Sequence, residues 1–258
     1  MLIVENVSHS YADGDRVLRG VSFRIDPGEK VVLLGTNGSG KSTLLKILNG
    51  LIPPAAGRVT YADVPLTPAN LKDPLFHRRF RREVALLFQN PDTMLFNPTV
   101  YDELAFGPRQ LGLDDIDGRV RHWAGTFAIT PHLARPPFQL SYGEKQKVCL
   151  ASLLALEPRL LLLDEPTANL DPRSTGWLID FLHDLAVTAL VTTHNLTMAS
   201  ELGDRTLLLS ENHKLTYDGD IHALMKDRDA LLQANLLHEH THAHGPLEHR
   251  HYHTHEWD

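Results

Sequence analysis

The stretch KVVLLGTNGSGKSTLLKILNG, Lys30 to Gly50, sets the fold class. Lys30 to Gly35 is a short unbroken apolar run of the kind buried on both faces in a parallel sheet. A helix is expected over about Lys41 to Asn49, with Leu44, Leu45, Ile47 and Leu48 on its packing side. Gly50 and Pro53-Pro54 then stop it. Between strand and helix, Gly35-Thr36-Asn37-Gly38-Ser39-Gly40-Lys41-Ser42 fits the phosphate loop G-x-x-x-x-G-K-[ST] at every position. The glycines let backbone N–H groups converge on phosphate oxygens, and the helix N-terminus adds positive potential. Lys41 then suits the β- and γ-phosphates, the Ser42 hydroxyl suits Mg²⁺, and Thr43 suits the α-phosphate. A glycine-rich turn before a helix is the plain alternative. The full match and its setting favour nucleotide binding.

Leu140 to Pro172, LSYGEKQKVCLASLLALEPRLLLLDEPTANLDP, supplies what a phosphate site lacks. The strand Leu160–Leu163 ends in Asp164 and Glu165, which puts one acid near a Mg²⁺ shell and the next beside the terminal phosphate. Phosphoryl transfer needs positioning and charge neutralisation more than covalent chemistry. Asp164 is therefore the expected metal ligand, and Glu165 the group that orients or deprotonates the attacking water. An acidic turn ending a core strand is the competing reading for the pair alone. His194, after Leu190–Thr193, and Gln89, after Leu86–Phe88, would by default be a structural histidine and a surface amide. In the company of the phosphate loop and the acid pair, His194 suits the γ-phosphate and the water, and Gln89 the Mg²⁺ and the water.

Further strands are expected at Leu2–Val4, Val17–Ile25, Gly57–Tyr61, Val84–Phe88 and Ala189–Thr192, and a hairpin at Thr206–Tyr217. A helix is expected at about Ile221–Leu236. Between about residues 91 and 150 the pattern turns helical, with segments at Val100–Phe106 and Ile116–Phe127. Alternating strands and helices around buried apolar strands give an α/β domain over residues 1–236 that carries a helical subdomain.

The chain has 258 residues, 42% hydrophobic content and a formal charge of −7, which argues against nucleic acid as the main partner. Cys149 is the only cysteine, so a reducing compartment fits, and its apolar neighbours read it as a small buried hydrophobe. No apolar run approaches the roughly 20 residues that span a bilayer, and the first residues lack the pattern of a secretory signal. A cytosolic protein is expected, with any membrane role coming through a partner.

Taken together, these residues resemble the ATP-binding-cassette ATPases over about residues 1 to 235. The resemblance implies a P-loop NTPase with a mixed sheet core, an antiparallel β subdomain and a helical insertion, working on ATP with Mg²⁺. Leu140 to Glu144 looks like the family's signature loop, Asn169 to Asp171 like its D-loop, and Tyr11 stands where an aromatic stacks on adenine. In that family two chains pack head to tail, which would set Ser141 and Gly143 toward the neighbour's nucleotide, with Asp171 of the D-loop also among the nucleotide-binding residues. The usual signature reads Leu-Ser-Gly-Gly-Gln, whereas this chain has Tyr142 and Glu144. A rate or closure difference is expected there.

The run from Gln89-Asn90-Pro91-Asp92 to Val100, with Asp102-Glu103 and Ala105–Pro108, is similar to the ATPase subunits of energy-coupling-factor importers, especially the cobalt and nickel branch. This implies integral-membrane coupling and substrate-binding subunits, a second ATPase subunit (a homodimer being simplest), and a peripheral place on the cytoplasmic face of the membrane. A vitamin importer of the same kind is the alternative, and a soluble cassette ATPase a more distant one.

Residues 237–258 are read as a flexible tail, because they hold few aliphatic residues. His238, His240, His242, His244, His249, His251, His253 and His255 are candidate transition-metal ligands, for buffering or sensing. A solvated polar tail or an expression tag are the other readings. His77-Arg78-Arg79-Phe80-Arg81-Arg82 reads as a solvated helix face before the Val84 strand.

Overall fold

The computed structural model describes residues 1–11, 14–244 and 247–254, with residues 238–244 and 247–254 described by their backbone. In chain order the strands are β1 (Leu2–Ser10), β2 (Arg16–Ile25), β3 (Lys30–Leu34), β4 (Ala56–Tyr61), β5 (Val64–Pro65), β6 (Val84–Leu87), β7 (Leu160–Leu163), β8 (Thr188–Thr193), β9 (Arg205–Leu209), β10 (Leu215–Asp220), β11 (Leu237–His244) and β12 (Leu247–Thr254). The helices are α1 (Lys41–Leu48), α2 (Pro68–Lys72), α3 (Pro74–Glu83), α4 (Val100–Gln110), α5 (Ile116–Thr126), α6 (Tyr142–Leu154), α7 (Pro172–Asp184), α8 (Leu196–Leu202), α9 (Ile221–Lys226) and α10 (Arg228–Gln233). The chain divides into two compact units, one of residues 1–66 with 190–258 and one of residues 67–189.

In the first unit β2-β1-β4-β5 form an antiparallel sheet, the β subdomain expected from the sequence. A second, mixed sheet has β3 parallel to β9 and β9 antiparallel to β10. Residues 31–34 of β3 are fully buried, as an unbroken Val-Val-Leu-Leu run requires. Helix α1 buries Leu44, Leu45, Ile47 and Leu48, and so packs the face its spacing predicts.

The second unit pairs β6 with β7 in parallel, Val84 opposite Leu160 through Leu87 opposite Leu163. Both strands are wholly buried. Its helices are capped by their own sequence: Thr99 accepts from the Asp102 amide at the start of α4, and Asp115 from Gly118 at the start of α5. Cys149 is buried, and that burial pushes its thiol pKa up, out of reach of thiolate chemistry at neutral pH. The basic run lies on α3, where Arg79 pairs with Glu83 at 3.2 Å and Arg82 with Glu157 at 3.5 Å.

Several elements differ from expectation. The single helix over Ile221–Leu236 is two short helices, because Asp227 interrupts the first and its carboxylate caps the second by accepting from Ala230 at 3.0 Å. Helices α7 and α8 were not anticipated. Their strong cap residues, Asp171-Pro172 and Asn195, were the available signal. From residue 237, where composition alone suggests no regular element, the backbone forms β11 and β12, paired antiparallel from Leu237 with Thr254 to His244 with Leu247. The strict alternation of histidine with other residues is a strand period, which a reading by composition passes over. His255 lies outside the described residues.

Candidate nucleotide-binding site

In the first unit the phosphate loop is built by glycines that tolerate no side chain. Gly40 has φ +112°, and a Cβ there would meet the Val17 carbonyl oxygen at 2.3 Å. At Gly35 a Cβ would meet the Leu209 carbonyl oxygen at 2.5 Å. Lys41 opens α1 and folds back over the loop, its Nζ donating to Gly35 O at 2.7 Å and Thr36 O at 3.1 Å. That holds a cation at the positive end of a helix, the arrangement of an anion cradle. The buried hydroxyls of Thr36 and Ser39 have no hydrogen-bond partner among the described residues. Buried polar atoms without partners are rare, and a phosphate in the cradle would satisfy them.

Around this loop lie three further side chains of the same unit. Tyr11 is 45% exposed and its hydroxyl is 3.1 Å from Thr43 Oγ1, so its ring stays open to a planar ligand. The Gly35 amide donates to Thr193 O at 3.3 Å, which brings the loop beside the end of β8 and the exposed His194 that follows. His213, in the turn between β9 and β10, sets Nδ1 3.0 Å from Ser39 O. Nothing in the sequence pattern singled it out, since its part depends on a hairpin turn reaching a distant loop.

In the second unit Gln89 follows β6 and Asp164 follows β7, and the Asp164 amide donates to Leu87 O at 2.9 Å. The parallel pairing thus brings the ends of both strands together, with Gln89 exposed and Asp164 and Glu165 buried at 5% and 7% exposure. Glu165 has φ +45°, a left-handed conformation that is costly for a side chain with a Cβ and marks a constrained turn. The Gln146 amide nitrogen, itself buried on α6, donates to Pro166 O at 3.1 Å and braces that turn.

Helix α6 explains both departures in Leu140–Glu144. Ser141 is its N-cap, and Glu144 completes a capping box by accepting from the Ser141 amide and hydroxyl, each at 2.8 Å. The other Glu144 oxygen is 3.1 Å from His132 Nε2. The Ser141 amide, then its hydroxyl, hold the Glu144 carboxyl below the usual range. Tyr142 reaches away from the cap, its hydroxyl donating to Gln89 O at 2.9 Å. Lys145 pairs with Asp92 at 2.7 Å on the same helix face. Gly143 is more open, with Leu170 and Ser174 at ordinary contact distance from a Cβ placed there. Asp171 caps α7, accepting from Ser174 Oγ and from the Ser174 and Arg173 amides; the Ser174 hydroxyl first, then its amide, lower the carboxyl pKa.

Comparison with known proteins bears on this arrangement. The family described as ABC transporter matches residues 18–168. A putative ABC transporter ATP-binding protein of Methanosarcina acetivorans is 42% identical over 250 residues, covering 94% of this chain and 91% of that protein. The energy-coupling factor transporter ATP-binding protein EcfA of Methanothermobacter thermautotrophicus is 36% identical over 241 residues, covering 92% and 76%. Among solved structures, cbiO1 from Clostridium perfringens, part of the ABC transporter complex cbiONQ, aligns with TM-score 0.76 at 30% identity over 91% of this chain and 94% of that one. The ATP-binding cassette MJ0796, dimeric and bound to ADP and Pi, aligns with TM-score 0.75 at 27% identity over 86% and 99%.

Proposed function

This chain belongs to the ABC transporter ATP-binding family, and on that premise we propose that it powers an energy-coupling-factor importer of divalent cobalt or nickel. As a family member it is an ATP-hydrolysing subunit of a transporter. The observation that carries the finer reading is the likeness to cbiO1, a component of cbiONQ. The likeness to EcfA and the run from Gln89 to Pro108 support it.

In this reading the phosphate loop binds ATP, Lys41 neutralises its terminal phosphates and Tyr11 stacks on the adenine. Gly35, Asn37, Gly38, Ser39, Gly40 and Thr43 surround the phosphate chain. Mg²⁺, when bound, offsets the charge that spreads over the transferred phosphate. Ser42, Gln89 and Asp164 carry the oxygen donors this ion prefers. Glu165 accepts the proton of the attacking water, and His194 holds the water and the γ-phosphate in line.

Ser141, Gly143 and Asp171 serve the ATP of a second copy, in a homodimer with two complete sites. The dimeric MJ0796 cassettes support such pairing. No helix among the described residues is long and apolar enough to cross a membrane. In the proposed reading the chain works from the cytoplasmic face, docked on integral-membrane coupling and substrate-binding subunits.

The test is uptake of a panel of divalent metals by the complete complex in vesicles, with Lys41→Ala as the control. ATP-dependent cobalt or nickel uptake, lost in the control, is expected. Vitamin uptake without metal uptake would overturn the substrate reading.

A further inference from the structure

The histidines after residue 237 alternate with other residues, and the backbone there supplies a geometry for them. Strands β11 and β12 pair without a register shift, so that His238 stands opposite His253, His240 opposite His251 and His242 opposite His249. Residues directly opposite in an antiparallel pair share a face, and so do residues two apart along one strand. One face of the hairpin thus collects His238, His240, His242, His249, His251 and His253, with His244 at its end. Glu239, Thr241, Glu248, Arg250 and Tyr252 fall on the other.

We propose that this histidine face is a transition-metal site for a divalent first-row ion such as Ni²⁺, Co²⁺ or Zn²⁺. Opposite residues in such a ladder have Cβ atoms roughly 4.5–5.5 Å apart. Imidazole nitrogens bind Zn²⁺ at about 2.0–2.1 Å, a short reach from neighbouring ladder positions. The next pair lies about 6.5–7 Å along the strands. Imidazole suits these metals, and carboxylate-preferring ions such as Mg²⁺ and Ca²⁺ do not compete well for it.

The site also answers a stability problem. An isolated two-stranded hairpin is marginal in water, and an ion bridging both strands adds its binding free energy to hairpin formation. The site is separate from the nucleotide residues and does not depend on what the transporter carries.

A flexible histidine-rich segment would chelate metal regardless of which positions alternate, whereas a paired face depends on parity. The test therefore keeps composition fixed in the full chain and titrates it calorimetrically with NiCl₂ alone. The first variant swaps neighbours on β11 only: His238→Glu with Glu239→His, His240→Thr with Thr241→His, and His242→Ala with Ala243→His. The second adds the same swap on β12: Glu248→His with His249→Glu, Arg250→His with His251→Arg, and Tyr252→His with His253→Tyr. The first variant is expected to lose affinity by tenfold or more, because its histidines face opposite sides. The second is expected to recover it, because all six move to one face again. A smaller loss in the first variant, or no recovery in the second, would overturn the proposal. Thermal melts confirm that each variant is folded.

Discussion

The hydroxyl of Tyr142 donates to the backbone carbonyl of Gln89 at 2.9 Å, so one of the two residues that depart from the family's signature is bonded to the loop after β6. Lys145 with Asp92 and Cys149 beside Pro91 continue the contact along the same face of α6. The loop that carries the Gln89 amide is thereby held to the helix that begins at Ser141. Tyr142→Phe keeps the ring and removes the bond. A net hydrogen bond of about 0.5–1.5 kcal/mol corresponds to a two- to tenfold fall in ATP turnover. Steady-state hydrolysis with a separate ATP-binding titration checks this, with affinity expected to hold because Lys41 and its loop are untouched.

The cradle should fail at a single added methyl group. Gly40→Ala drives a Cβ toward the Val17 carbonyl oxygen at 2.3 Å and imposes φ +112° on a residue that resists it. ATP affinity, read with a fluorescent analogue, is expected to fall at least about tenfold. Unchanged affinity would remove the loop geometry from the explanation.

Glu144 gives a pH signature. Its carboxyl lies below its ordinary value of 4.5, first because of the Ser141 amide, then the Ser141 hydroxyl, against a smaller opposing effect of burial. A carboxyl whose folded value is depressed stabilises the fold fully above its unfolded value and loses that contribution as pH falls through the folded one. The difference in urea midpoint between the parent chain and Glu144→Gln is therefore expected at pH 6, starts to shrink near 4.5 and closes as pH falls through the lower folded value. Partial exposure keeps it below about 1 kcal/mol.

Lys30 to Gly50 carried its own fold, because strand, loop and helix there are all local: β3 and α1 fall within a residue of their expected limits. The acids after β7 were legible for the same reason, a wholly apolar strand ending abruptly in Asp164-Glu165. What the chain order hid was contact between distant segments. Tyr142 with Gln89, Gln146 with Pro166 and His213 with Ser39 each join positions at least 20 residues apart, and no period or motif announces them. Glu144 was legible in principle, since Ser141-x-x-Glu144 is a capping box. It was read instead as a departure from the family pattern. In the histidine segment the few aliphatic residues point to a tail, while the period of two matches the paired backbone of β11 and β12.

In the proposed function Glu165 drives hydrolysis in an ATP-bound dimer of this chain. Its direct test is ATP turnover by Glu165→Gln, with mass measured by light scattering in the presence of ATP and Mg²⁺. Turnover is expected to fall by at least about a hundredfold while ATP binding persists and the protein runs as a stable dimer. Hydrolysis at the parental rate, or a monomer with ATP bound, would contradict it.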